Sequence, residues 1–167
     1  MIVEVSGGDG LAACVPVVRR AFRTVMDERG LSEADVPTNA AFITLDRLSA
    51  LRAAGARFFA VVEGEDPVGC VCLRFRDDPA DDSRVAVLEH LAVVPERRHL
   101  GHGAALVRHA VGQARVAGAG VVRIAVIDDN VVLKRWYLRA GFTERDRRVF
   151  PHLPFAVCYL EKVVRTG

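Results

Sequence analysis

From Val94 to Ala104 the chain reads VPERRHLGHGA, and within it Arg98 to Gly103 falls between a strand-like run and a helix-like run. A turn that leaves a strand and opens a helix presents unpaired backbone N–H groups at the positive end of the helix dipole, which suits an anion. Gly101 and Gly103 have no Cβ, so the backbone there can approach a diphosphate closely, and Arg98 adds a cation. A pair of glycines equally fits a plain tight turn. Two familiar phosphate motifs fail on inspection. A P-loop needs Gly-Lys followed by Ser or Thr, whereas Gly103 is followed by Ala104 and Ala105. A dinucleotide fingerprint needs a small residue where Leu106 stands, and usually follows the first strand of its domain, although Asp128 does lie near the end of the next strand.

A second group of residues lies downstream. Asn130 stands where a helix begins and can cap it, and Tyr137 follows seven residues later on the same face, about two turns along, so both can reach one ligand. A partly buried core aromatic is the alternative for Tyr137. Upstream, Glu89 alternates with Val87, Leu91 and Val93 on one strand face, and so apolar a setting would raise its pKa toward the range of a useful base. The alternative is a paired or solvated structural carboxylate. His90, on the opposite face of that strand, is the second candidate.

These residues need elements to position them. Met1 to Val5 reads as an opening strand, Leu11 to Arg29 as a helix, and Leu45 to Ala54 as a second helix closed by Gly55. The loop between the two helices is long enough to act as a flap. Arg57 to Glu63 and Pro67 to Asp77 form a hairpin across Gly64, Glu65 and Asp66, with Cys70 and Cys72 on one face. An Asp-rich turn, Asp77 to Ser83, leads into a strand over Val85 to Val94. Gly101 to Gly118 has one apolar stripe and reads as an amphipathic helix; Val121 to Ile127 is a buried strand, and Val131 to Ala140 a helix stopped by Gly141. Phe142 to Phe150 and Phe155 to Val163 complete the strands. Strand, helix, strand around the glycine turn implies a parallel pair within a mixed sheet.

In this context LAVVPERRHLGHGAALV, Leu91 to Val107, resembles the cofactor motif of the GCN5-related N-acetyltransferase (GNAT) superfamily: Arg or Gln, two residues, Gly, one residue, Gly or Ala. Arg98, Gly101 and Gly103 fit it, while His99 stands where many members carry Gly. NVVLKRWYLRAGF, Asn130 to Phe142, is similar to a second family motif, lacking only the small residue often found at Leu133. The resemblance implies an α/β (α+β) fold with a mixed, mostly antiparallel sheet of six to seven strands, a splayed central parallel pair and about four helices on its faces. It implies acetyl-CoA as co-substrate, with the pyrophosphate on Arg98, His99, Leu100, Gly101, His102, Gly103 and Ala104. The backbone of Leu91, Ala92 and Val93 would pair with pantetheine, and Asn130 would contact that arm. Tyr137 would protonate the departing thiolate, which is sensible chemistry because a thiol titrates near about 8.5 and Tyr near about 10.

The implied reaction is transfer of acetyl to a primary amine of a small molecule or peptide by direct attack in a ternary complex, with Glu89 as the base and no metal. Some protein N-terminal acetyltransferases of this superfamily place a catalytic Glu five residues before the motif Asn; here that position is Ala125. The acceptor pocket would lie between Arg29 to Phe42 and Arg147 to Phe155. There Arg147, Arg148 and His152 either grip an acidic acceptor or form a solvated basic loop. A non-catalytic module that binds or senses acyl-CoA is the alternative. Exposed final strands imply a homodimer.

Composition bounds the rest. The 167 residues suffice for one domain spanning 1–167, with a core of ordinary make-up: 51% of residues are hydrophobic and 26% charged. A net charge of +2 gives no reason to expect nucleic acid or membrane as partner. Lys134 and Lys162 are the only lysines, so Arg supplies nearly all the positive charge. The four cysteines are too scattered for a disulfide framework or a zinc knuckle and read as buried thiols. The opening MIVEVSGGDG lacks the basic start and apolar stretch of a signal peptide, so the expected location is cytoplasmic.

Overall fold

A computed structural model describes residues 1–80 and 83–164. Asp81 and Asp82 of the expected Asp-rich turn lie outside them. The elements run β1 (Ile2–Glu4), α1 (Gly8–Glu28), a 3-10 turn (Ala40–Phe42), α2 (Leu45–Ala53), β2 (Arg57–Glu63), β3 (Asp66–Asp78) and β4 (Ser83–Val93). A second 3-10 turn (Pro95–Arg97) leads to α3 (His102–Val116), β5 (Val121–Ile127), α4 (Val131–Arg139), β6 (Thr143–Arg148) and β7 (Val157–Val163). The seven strands form one sheet in the order β1-β2-β3-β4-β5-β7-β6, antiparallel everywhere except between β4 and β5. That is the mixed, mostly antiparallel sheet with four helices expected from the sequence.

Apolar periodicity explains the layering. Leu11, Cys14, Val17, Val18 and Ala21 of α1 recur at helical spacing and are buried, together with Leu48 of α2, against Phe58, Ala60, Cys70, Cys72 and Ala92 on one sheet face. Leu106, Val107, Ala110, Val111 and Ala114 of α3 cover the other face, against Phe59, Val71, Leu73, Leu88 and Val122, and Tyr137 of α4 joins this layer. Cys70 and Cys72 do share a face. All four thiols are free and buried.

Two departures from expectation follow from backbone geometry. Asp66 pairs with Glu63, so the β2–β3 connection has two residues, Gly64 and Glu65, with Gly64 at φ +65° as a tight hairpin turn demands. The second matters more. Along β3–β4, Cys72 faces Glu89 and Cys70 faces Ala92, so one β3 residue opposes the two β4 residues His90 and Leu91. This is a β-bulge, and His90 takes φ +53° within it. The extra residue reverses the alternation. Leu91 and Val93 pack on the α3 side, whereas Glu89, partnered by Cys72, lies on the α1 side. The expectation that Glu89 shares a face with Leu91 and Val93 is therefore corrected. His90, expected opposite Glu89, meets Phe22 of α1 edge-on, with ring centroids 6.4 Å apart, and so sits on that same α1 side.

The parallel contact is short. β4 and β5 pair only at Val85 with Val121, Ala86 with Val122 and Val87 with Arg123. Beyond these positions β5 remains fully paired with β7 and β4 with β3, so the two strands splay apart.

Candidate active site

The splay opens a cleft of about 590 Å³. Its walls come from both sides of the sheet: Ala21, Phe22, Thr24 and Val25 from α1, and Asn130, Val132, Leu133, Trp136 and Arg139 from the start and length of α4. Leu91, Ala92 and Val93 of β4 line its middle, and Arg98, His99, Gly101, His102, Gly103 and Ala104 its mouth. A cleft bounded by helices on opposite faces has to pass through the sheet, and only a gap between strands permits that. Once pairing with β5 stops, one edge of the β4 backbone is left without a strand partner there.

At the mouth, His99 takes φ +64° and Gly101 φ +85°, a sequence of left-handed residues that turns successive amides inward. Among the described residues, none of the amides of residues 99–104 donates to a protein acceptor. No side chain caps α3. Those N–H groups, at the positive end of a 15-residue helix, form a site for the oxygens of a phosphate or diphosphate. A Cβ on Gly103 would lie 3.5 Å from the Trp136 ring, in ordinary van der Waals contact, so the first turn of α3 sits against α4 with room for a small side chain. The turn is tied down by side chains. Arg98 donates to the carbonyl oxygens of Val93 (3.3 Å) and Ala21 (3.0 Å) and to the Thr24 hydroxyl (3.2 Å), which joins the turn to β4 and α1. His102 meets the Glu63 carboxylate at 3.2 Å, and Arg97 meets the same carboxylate at 2.8 Å, holding it below the usual carboxylate range.

On α4, the Asn130 side chain accepts from the Leu133 amide at 3.2 Å, the expected cap. Gly141, at φ +93°, ends the helix and lets the Phe142 amide reach back to Tyr137 O. Tyr137 is buried, stacked edge-on between Trp136 and Phe142, and burial pushes its phenol well above the usual range. No hydrogen bond engages its hydroxyl, yet no fully buried side-chain polar atom is left unpaired among the described residues. The hydroxyl therefore touches open space.

Of the residues singled out from sequence, Leu100, Glu89, His90, Tyr137, Arg147, Arg148 and His152 lie off the cleft wall, and Leu100 is exposed. Glu89 is not in the apolar setting expected for it: the Arg74 guanidinium grips it bidentately, at 2.9 and 2.5 Å, across the β3–β4 pair. Behind the cleft, Met26, Val36, Ala41 and Phe42 cluster with Ile127, Leu153 and Phe155, so the two segments expected to frame an acceptor do meet. Arg147 binds Asp128 at 2.8 Å and Arg148 binds Asp146 at 2.9 Å, which occupies both cations with the chain's own carboxylates. Sequence reasoning missed the α1 wall and Trp136. It also missed a second groove, between α3 and α4, that shares Ala104, Trp136 and Arg139 with the first. Arg108, Arg115 and Lys162 also line this groove. The described residues contain no cluster of His, Cys, Asp or Glu arranged to hold a metal, and no helix long and apolar enough to cross a membrane.

Comparison with known proteins adds kinship to this geometry. The sequence pattern described as the acetyltransferase (GNAT) family matches residues 21–142. A curated relative, the mycothiol acetyltransferase of Sanguibacter keddieii, is 32% identical over 137 residues, covering 81% of this chain and 41% of the relative. The chain thus spans about two fifths of that protein's length. Among solved structures, the ribosomal-protein-alanine N-acetyltransferase of Brucella melitensis superposes with a TM-score of 0.74 at 15% identity, over 98% of this chain and 99% of that one. PaiA N-acetyltransferase of Thermoplasma acidophilum, in complex with coenzyme A, gives 0.73 at 18% identity, again over 98% and 99%. At such identities these two speak for the fold alone.

Proposed function

The chain belongs to the acetyltransferase (GNAT) family, and from that premise we propose that it is a single-domain N-acetyltransferase moving acetyl from acetyl-CoA to a primary amine by direct attack in a ternary complex. The observation that carries the reading is the cleft through the sheet, with free amides at one end and an unpaired strand edge along its middle. The pyrophosphate would rest on the amides of residues 99–104, and pantetheine would extend along Leu91 to Val93 as a substitute strand, with Asn130 beside it. Such a pose directs the thioester toward the α1 side and the adenosine end toward the groove of Arg108 and Arg139. Neither of these two arginines has a protein carboxylate partner among the described residues, which supports a role in holding the 3′-phosphate.

The amine must attack as the neutral base, and the leaving thiolate needs a proton. Tyr137, kept protonated by burial, is the donor in this reading; the same desolvation raises the proton affinity of a thiolate next to it. Glu89, held by Arg74, enters this reading as a fixed charge on β4, and its claim as the base is tested below.

Calorimetry against acetyl-CoA, NAD and ATP, followed by thiol release across an amine panel, tests the whole. The panel holds small amines with and without a carboxylate, short peptides and, because the curated relative is named for mycothiol, amine-bearing mycothiol precursors. Acetyl-CoA should bind selectively, and at least one amine should release thiol. Binding without release by any amine would favour the alternative, an acyl-CoA-sensing module; no binding would overturn both. In the Tyr137→Phe variant turnover should fall about 100-fold while acetyl-CoA affinity stays within about twofold. An unchanged turnover would remove Tyr137 from the mechanism.

A further inference from the structure

The bulge in β4 does more than displace Glu89. His90 holds a left-handed backbone conformation that is unfavourable for a non-glycine residue, and such strain concentrates at functional positions. Its ring is largely enclosed, edge-on to Phe22, itself part of the cleft wall. Among the described residues neither ring nitrogen has a hydrogen-bond partner, and no fully buried side-chain polar atom is left unpaired. The nitrogens thus open on accessible space, one residue before the stretch of β4 that lines the cleft. Glu89, by contrast, has both carboxylate oxygens on Arg74.

We infer that His90 is the proton acceptor for the incoming amine, and that the Arg74–Glu89 pair positions it. This deepens the acetyltransfer reading and rests on it. The amine nitrogen forms its bond to the thioester carbonyl carbon, and the ammonium proton of the tetrahedral adduct passes to a His90 ring nitrogen. The C–S bond then breaks, and the sulfur takes the Tyr137 phenolic proton. Exchange with water returns a proton to Tyr137 and removes one from His90, so the sum is amine plus acetyl-CoA giving amide plus CoA thiol.

The electrostatic setting of the ring acts in the same sense. Burial pulls the imidazole below its ordinary 6.5; Arg47 of α2 and Arg74 of β3 act in the same direction, while Glu89 opposes them. Phe22, facing it from α1, carries no charge. His90 is thus neutral at pH 7, and a base of this kind adds a second loss of activity, at a value below 6.5, to the one that protonation of the amine itself imposes at higher pH.

The test compares wild type, His90→Asn and Glu89→Gln by thiol release against pH, with the best amine of the panel and with water as acceptor. Asn tolerates the left-handed conformation, so the bulge should survive. His90→Asn should lower kcat/KM about 100-fold at pH 7, remove the limb below 6.5 while keeping the one that belongs to the amine's own ammonium, and leave acetyl-CoA affinity unchanged; Glu89→Gln should shift the limb below 6.5 without removing it. An intact limb below 6.5 in His90→Asn overturns the proposal, as does its loss in Glu89→Gln alone. Independently of turnover, the His90 ring protons followed by NMR in the wild-type protein should titrate below 6.5, and a midpoint at or above it also overturns the assignment. Acetyl-CoA binding with no thiol release from wild type, to amine or water, marks instead the failure of the acetyltransfer reading itself.

Discussion

His90 and His99 are the two residues other than glycine with positive φ among the described residues, and they bracket the lining segment of β4 and the turn after it. Their strain differs in kind. His99 is exposed at the mouth, where its side chain has no hydrogen-bond partner among the described residues, so the backbone turn is used there and the imidazole is not. Replacement by Gly should raise unfolding free energy by about 1 kcal/mol in urea denaturation, with the cofactor mouth intact. Part of the second motif was legible in the sequence at this scale: Asn130 caps α4 as its side chain allows, whereas Tyr137 is buried off the cleft wall, a placement that the seven-residue spacing does not fix. Glu89 was misplaced because a bulge is a backbone event. Nothing in the side chains of LEHLAV announces the extra residue, and every parity argument beyond it inverts.

At the scale of elements, α3 and α4 act as a pair joined where the Trp136 ring covers Gly103, and their outer groove carries Arg108 and Arg139. If these two cations hold the 3′-phosphate, the double variant Arg108→Ala with Arg139→Ala should weaken acetyl-CoA binding about 10- to 100-fold. It should also bind dephospho-CoA as well as wild type does, both measured by calorimetry. Equal loss for the two ligands would place the 3′-phosphate elsewhere. Helix and strand bounds were readable to within a few residues because apolar periodicity and glycine stops carry them, as at Gly55, Gly118 and Gly141. The α1 wall was not. Periodicity tells which face of α1 is buried, but Phe22 and Thr24 lie at its margin, and only the tertiary arrangement sets that margin over a gap in the sheet.

For the whole molecule, the consequence of the splay is a sheet in two parts, β1 to β4 and β5 to β7, hydrogen-bonded to each other along three residue pairs. Arg123 of β5 strengthens that seam. Its buried guanidinium binds Asp78 at the end of β3 at 2.9 Å and Glu161 of β7 at 3.1 Å, so one side chain ties both parts together. Arg123→Ala leaves Asp78 without its ion-pair partner, while Glu161 keeps Arg145 at 3.4 Å, and should cost about 3 kcal/mol of unfolding free energy, read as a lower denaturant midpoint. An effect under about 0.5 kcal/mol would mean that strand pairing alone holds the seam.

The open edge of β4 gives this arrangement a further meaning. A backbone that ends its pairing at Val87 and resumes none along Leu91 to Val93 is, toward β5, a sheet lacking one strand. A co-substrate whose amides lie along that edge would supply it, so ligation and folding become one equilibrium: at a ligand concentration 100 times Kd the native state gains about 2.7 kcal/mol. The supply of acyl donor would then set how long each molecule of this protein survives, as well as how fast it works.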